Sequence, residues 1–541
     1  MLRLLPENFR ASRRLITTLF FGGLLLLGLL LTSSYGMGWD EPTDREGGYI
    51  SLRYVAQRLA PGLLRTEHLA HLPELRTYRE ADHGVAFTMP LAALEEIFYP
   101  HDLPGAYWMR HLLVFATFVA GAWALFRLGA ERFGSWRWGL AGAAALVLSP
   151  RIFAEAFYNH KDLVFMNLFV LGGFTLTQLL RRPTTGRAVL HALVMALATD
   201  VRIMGLLLPV LTVAFVALET WARPLRRAAL LRTLGLCGAA TMALVVLFWP
   251  YLWEAPIARL WECFGNFRYF RQTMRVFYLG QLRSCRELPW HYLPVWLLIT
   301  TPVAYSVLFV AGATGVLREL VRQPLALLRR TAGRRDLLFG AWCVGPLVLI
   351  VAMNSVVYDG WRHVYFIYPA FLLLAVRGLR AGVQAWRAAP AASAHRRLGT
   401  AAGALLALGV AHTAYRQVLD HPHQYVYFSF LPGPVAARLF ERDYWGISAR
   451  QGLSWVLTHD ASATVAVSDT LTQRDVLHNN ALLLPTAASA RLRFVPHAQA
   501  RYFLGIYRWH PWPYEARFGK PVHHIQVDGM PILTVFRQEA N

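Results

Sequence analysis

The chain of 541 residues is 55% hydrophobic and only 16% charged, with a mean hydropathy of +0.35; an ordinary soluble domain carries about 25% charged residues. Its apolar surplus falls in blocks of about 18 to 25 residues, the length a helix needs to cross a hydrocarbon core, which excludes a soluble globular protein and points to a polytopic α-helical membrane protein. The net charge of +22 does not mark a nucleic-acid binder, because the arginines cluster in short links between apolar blocks, where the positive-inside rule puts them.

In chain order, the first span covers 15–32 behind Arg10, Arg13 and Arg14. Its long apolar run, with no small-x-small cleavage site after it, separates it from a signal peptide. Ten more follow at 107–126, 139–150, 163–180, 188–198, 203–218, 230–249, 293–317, 337–353, 364–376 and 398–415, making eleven expected spans. The links "RLGAERFGSWRW", "RRPTTGR", "RPLRRAALLR", "RELVRQPLALLRRTAGRRD" and "RGLRAGVQAWRAAPAASAHRR" are strongly basic. Placing all five inside alternates correctly with an inside N-terminus. The outer side then receives the 33–106 loop, the stretch "SPRIFAEAFYNHKDLVF", the 251–292 loop, the link "NSVVYDGWRH" and the tail.

The tail differs in kind. "ATVAVSD" and "RLRFV" read as short strands, "HHIQVDGMPILTVFR" as a hairpin turning at Asp528-Gly529, and "ISARQGLSWVLTHD" as an amphipathic helix with Ile447, Leu453, Val456 and Leu457 apolar. The expected organisation is a transmembrane unit over 1–415 and a small extracytoplasmic α/β domain over 416–541. Four cysteines are present. Cys263 and Cys285 share an outer loop, where an oxidising compartment permits a disulfide; two free thiols are the alternative. No zinc-type cluster, G-x-G-x-x-G, P-loop or D-x-D occurs, so no inside segment is built to hold a nucleotide.

Chemistry-bearing residues gather on the outer side. Asp40 and Glu41 directly follow the first span, with Pro42 suited to a first helical position. They read either as acids capping a helix N-terminus or as a general base at the membrane surface, adjacent carboxylates raising one another's pKa. Lys161 is one of only two lysines in the chain. It reads as snorkelling or paired with Asp162, or as a phosphate clamp beside a helix N-terminus. "TDVRIMG" adds Asp200 and Arg202; "YDGWRHVYF" adds Asp359, Arg362 and His363. Ionisable groups at a membrane boundary are functional candidates. Cations suit a phosphate leaving group, a carboxylate suits activation of an acceptor, and aromatic faces suit a sugar.

The acidic pair after the first span, "SPRIFAEAFYNHKD", "YDGWRHVYFIYP" and "DYWGISARQGLSWV", taken in that order, resemble the GT-C glycosyltransferases, in particular glycosyltransferase family 39, the protein O-mannosyltransferase and aminoarabinose-transferase group. The second stretch departs from the family pattern at His160, where proline is usual. The resemblance implies a polyprenyl-phosphate-linked sugar donor and transfer, usually with inversion, on the outer face of a bacterial cytoplasmic membrane; it does not fix the acceptor, an unknown glycan, lipid or protein. Onto this sequence it carries Asp40 as base with Glu41 as substitute, Lys161, Arg202 and Arg362 as phosphate ligands, and Asp162, His160, Asp359 and His363 near the substrate. No resident metal is implied, and a divalent cation stays open. Two other classes compete: a transporter or flippase, which more often shows paired halves or helices broken at the midplane, and a ligase that moves a whole lipid-linked glycan.

Overall fold

The structure, a computed structural model, describes residues 7–62, 69–268, 274–469, 474–508 and 510–538. Helix α1 (Glu7–Leu31) leaves Leu15, Leu19, Leu25, Leu26 and Leu30 exposed, a face suited to lipid. The 33–106 loop folds into α2 (Glu41–Leu59) and α3 (Thr88–Phe98), packed together. Then come α4 (Leu103–Phe133), α5 (Trp136–Val147) and α6 (Pro150–Tyr158). The axis turns 71° between α5 and α6, because Pro150 lacks an N–H and forces Ser149 out of the helical region (φ −105°, ψ 100°). Four helices follow: α7 (Asp162–Arg181), α8 (Thr185–Val201), α9 (Leu207–Ala222) and α10 (Arg227–Phe248). Beyond α10 stand α11 (Pro256–Arg268) and a hairpin of β1 (Arg275–Tyr278) and β2 (Gln281–Ser284). The bundle closes with α12 (Tyr292–Thr300), α13 (Val303–Arg322), α14 (Pro324–Arg329), α15 (Thr331–Ala352), α16 (Tyr368–Ala388) and α17 (Ala394–Leu419).

Among the described residues nine helices are long and apolar enough to cross a membrane, ten if the bent α5–α6 pair counts as one span. The span expected at 188–198 is α8, 17 residues long, about 26 Å at 1.5 Å per residue; it falls one residue short of the helices counted here, yet it runs from the arginine-rich α7–α8 link to Arg202 at the other end. The segment expected as one span over 293–317 is broken before Pro302, which separates α12 from α13. The five arginine-rich links join α4 to α5, α7 to α8, α9 to α10, α13 to α15 and α16 to α17, so they share one end of the bundle. Asp40, Lys161, Arg202 and Arg362 occupy the other.

After α17 the chain passes through α18 (Gly433–Leu439) and α19 (Ser448–His459) into a five-stranded sheet. Its strands are β3 (Val465–Asp469), β4 (Leu492–Phe494), β5 (Tyr502–Ile506), β6 (Lys520–Val527) and β7 (Met530–Arg537), in the order β4-β3-β5-β7-β6. β3 runs parallel to β4 and β5, whereas β7 runs antiparallel to β5 and β6. Asp528 and Gly529 turn the β6–β7 hairpin with φ of 53° and 71°, the left-handed pair of a two-residue turn. Leu453 and Val456 of α19 are buried, as the amphipathic pattern requires. β5 was absent from the sequence reading. All five of its residues are buried, so it shows no alternation to betray it.

A candidate active site at the end of the bundle

The turn between α6 and α7 builds the first half of the site. Asn159 Oδ1 accepts the N–H of Asp162, the first residue of α7, at 2.8 Å, which closes the turn before the helix. That fixes His160 and Lys161 as a two-residue projection toward α2. His160 Nε2 lies 2.5 Å from one oxygen of Asp44, and Lys161 Nζ donates to the other at 2.8 Å. Asp44 stands four residues after Asp40 on the first turn of α2, so both carboxylates share one helix face.

The second half centres on Arg362, at the start of the short helical turn Arg362–Ile367. Its guanidinium reaches Asp40 at 2.9 Å, Asp162 at 3.2 Å and Asp359 at 3.1 Å. It also lies over the rings of Tyr358 and Trp445, 5.0 and 4.9 Å from their centres. Arg202, directly after α8, pairs with Asp162. Arg508 of the tail grips Asp359 with contacts of 2.8 and 3.0 Å, so the sheet domain completes the network. Asp359 has φ of 53° and Gly360 φ of 70°; this left-handed pair, easy for glycine and costly for aspartate, aims the Asp359 carboxylate back at both arginines.

Exposure divides these acids. The Asp40 side chain is 29% open, against 1% for Asp162 and 5% for Asp359. Two buried donors, Arg202 Nε and Arg362 Nε, make no hydrogen bond among the described residues. A cavity of about 130 Å³ opens beside Arg202, lined in part also by Arg79, His83, Trp249, Tyr358 and by His363, the neighbour of Arg362. Asp200 pins its rim: Oδ1 accepts the Ala86 N–H at 2.7 Å. Gly84 presses so close to the Asp200 carbonyl that a Cβ would come within 1.8 Å of it.

Electrostatics follow from this packing. Burial pushes the Asp40 carboxyl upward, but Arg362 and Lys161 outweigh it and hold the group below its ordinary range. Burial likewise opposes ionisation of Asp44, and Lys161 with His160 overcomes it by a wide margin. For His160, burial favours the neutral ring, yet Asp44 raises it above the usual histidine value. At neutral pH Asp40 is therefore a carboxylate facing cations. Glu80, Asp82 and His83 bring ligand atoms within 4.8 Å of one another at the cavity rim, a donor set suited to a divalent cation.

Several sequence expectations change. Glu41, the substitute base, is turned away: it is 5% exposed, accepts the Gly38 N–H at 2.6 Å and lies 2.8 Å from His111 Nε2. It serves the helix start, while Asp40 makes no capping bond. The expected rise at Asp40 is not found: Arg362 and Lys161 hold its carboxyl below the ordinary range. Lys161 pairs with Asp44 and not with Asp162, which lies beneath Arg202 and Arg362 and holds them in place. The Cys263–Cys285 disulfide is not formed; both thiols are free, buried in separate apolar clusters. Asp44 was missed although its i, i+4 spacing from Asp40 was readable. Trp445 lies in the stretch "DYWGISARQGLSWV" but was given no role there, and Arg508 carries no local signal, since only the fold brings it here.

No protein-family model and no curated protein sequence matches the chain. Among solved structures, it is similar to ArnT from Cupriavidus metallidurans in the apo state, with a TM-score of 0.49, 13% identity, and 96% of this chain and 97% of that one covered. It is also similar to ArnT from the same organism bound to undecaprenyl phosphate, with a TM-score of 0.47, 14% identity and the same coverage of each chain. The functional reading rests on the side chains themselves.

Proposed function

We propose that this chain is a GT-C-like inverting glycosyltransferase of the bacterial cytoplasmic membrane, moving one sugar from a polyprenyl-phosphate-linked donor to an acceptor hydroxyl at the outer face. The observation that carries this reading is one juxtaposition. An ionised, part-open Asp40 stands against Arg362, whose Nε, like that of Arg202, is buried with no partner among the described residues. A phosphate satisfies such donors, since its oxygens accept charge-assisted hydrogen bonds. The five arginine-rich links at the opposite end support the orientation.

In this reading the donor phosphate lies against Arg202, Arg362 and Lys161. The acceptor oxygen forms its bond to the anomeric carbon as the bond from that carbon to the phosphate oxygen breaks. Asp40 takes the hydroxyl proton, and the electron pair leaves with the polyprenyl phosphate. The cations stabilise the charge that grows on the leaving group, and their prior anchoring by Asp44, Asp162 and Asp359 means little reorganisation at the moment of reaction. Tyr358, which lines the cavity, offers an aromatic ring beside the reacting centre. A single displacement of this kind inverts the anomeric configuration.

The test supplies purified protein with radiolabelled short-chain polyprenyl-phosphate sugars. Transfer of a single sugar is expected. Transfer of a preassembled glycan supports the ligase class, and binding with no transfer supports a transporter; either result overturns the proposal.

A further inference from the structure

The opposite end of the bundle holds a second cavity, of about 580 Å³, between α1, α4, α7, α9 and α15. Six arginines and two glutamates line it, an excess of four positive charges. Both acids are already occupied. Glu219 takes Arg334 at 2.7 Å and Arg223 at 3.2 Å; Glu131 takes Arg127 and Arg335, each at 3.3 Å, and also accepts from Gln178. The remaining charge is therefore not neutralised within the cavity.

A topological signal needs only a number of arginines on one side. These are held to a geometry. Arg334 is 4% exposed, and its Nη1 donates to the Leu328 and Arg329 carbonyls, both at 2.8 Å. Its Nη2 is buried and makes no hydrogen bond among the described residues. A buried charged donor left so is costly unless a ligand meets it. At the rim, Arg13 and Arg181 are exposed, and no ion pair engages them among the described residues. Leu180, Phe215 and Leu338 give the cavity an apolar wall continuous with the membrane-spanning helices.

We propose that this cavity binds an anionic phosphate group, with Arg334 meeting a phosphate oxygen from the floor and Arg13 and Arg181 closing on it from the rim. Its chemistry fits the headgroup of an anionic phospholipid, whose chains would follow the apolar wall, or a free phosphate. It is a binding site only: the two carboxylates that line it, Glu131 and Glu219, are each engaged by two arginines. The inference does not depend on the function proposed for the Asp40 site.

Purified protein in a zwitterionic detergent is titrated with dioleoyl phosphatidylglycerol, dioleoyl phosphatidylcholine and inorganic phosphate. Bound lipid is read by native mass spectrometry and thermal stability in parallel. Phosphatidylglycerol is expected to bind and raise Tm, while phosphatidylcholine does neither. In the double variant Arg13→Gln/Arg181→Gln, whose side chains lie outside the buried ion pairs, phosphatidylglycerol affinity falls roughly 30-fold, the value of two basic groups at a lipid headgroup. Displacement of the lipid by millimolar phosphate supports a free-phosphate source; lipid binding untouched by phosphate supports the phospholipid. Equal binding of both lipids, or unchanged phosphatidylglycerol affinity in the double variant, overturns the proposal.

Discussion

At one end of the bundle Arg362 bridges Asp40, Asp162 and Asp359; at the other, Arg334 is matched to Glu219, Arg335 to Glu131, and Asp336 to Arg132 and Arg377. Both ends pair arginines with acids, and both leave guanidinium donors without a partner among the described residues. The difference lies in which acid is open. Asp40 keeps 29% of its side chain accessible, while Asp336 keeps 2%. Unsatisfied cations are enough to hold an anion; transfer chemistry also needs a carboxylate within reach of a second substrate. The elements differ as well. The paired acids Glu131, Glu219 and Asp336 all lie within long helices, whereas Asp40, Asp359 and Arg508 come from connections and the tail, which bring distant parts of the chain to one point.

The largest effect is expected at the open acid. Asp40→Asn keeps the size of the side chain but cannot accept a proton, so transfer should fall by about 10²- to 10⁴-fold with donor binding largely kept. Glu41→Gln, in a side chain turned toward Gly38 and His111, should cost far less activity. Kinetics of both variants under donor saturation check the contrast, and the reverse ranking would exchange their roles.

The same change at the other end should alter stability and not chemistry. Asp336→Asn strips two mostly buried arginines of their shared partner, a loss typically worth about 3–5 kcal/mol. Denaturation in detergent should show a large drop in Tm, with turnover per folded molecule near wild type. Loss of turnover without loss of stability would dissolve the distinction between the two ends.

Lys161→Met comes next. It removes a cation of comparable reach while His160 still engages Asp44. A fall in turnover of about 10²-fold is expected, in line with about 3 kcal/mol for one preorganised electrostatic partner. A protein as unstable as it is inactive would instead make Lys161 a structural residue.

The smallest effect concerns pH. The folded-state pKa of His160 is raised, so its contribution to stability is complete below the ordinary value of 6.5 and is lost as pH rises through the higher folded value. Asp44 is depressed, so its contribution holds above its ordinary 3.8 and fades only in stronger acid. His160→Gln should therefore lower stability by about 1–2 kcal/mol at pH 6, with the gap to wild type closing toward alkaline pH. A gap that widens with pH would contradict the ion pair with Asp44.

The sequence made the membrane class, most helices, the basic links and the β6–β7 hairpin legible, because hydropathy and turn chemistry are local. It placed Lys161 and Arg362 at one face through alternation alone. It could not see that Asp44 and not Asp162 meets Lys161, or that Arg508 lies on Asp359, because these contacts join residues 117 and 149 positions apart. It could not see that Glu41 turns toward Gly38 and His111, or which of the two states of Cys263 and Cys285 holds, for a related reason: closeness in sequence, or a shared loop, does not fix where a side chain points.

The central claim is that the Asp40 end breaks a bond between an anomeric carbon and a lipid phosphate. Its most direct test follows one turnover of a defined polyprenyl-phosphate sugar by phosphorus NMR, with the anomeric configuration of the product read from its proton couplings. The account predicts one free polyprenyl phosphate monoester per sugar transferred, with inverted configuration. Retained configuration, or sugar moving while its phosphate stays attached, would contradict it.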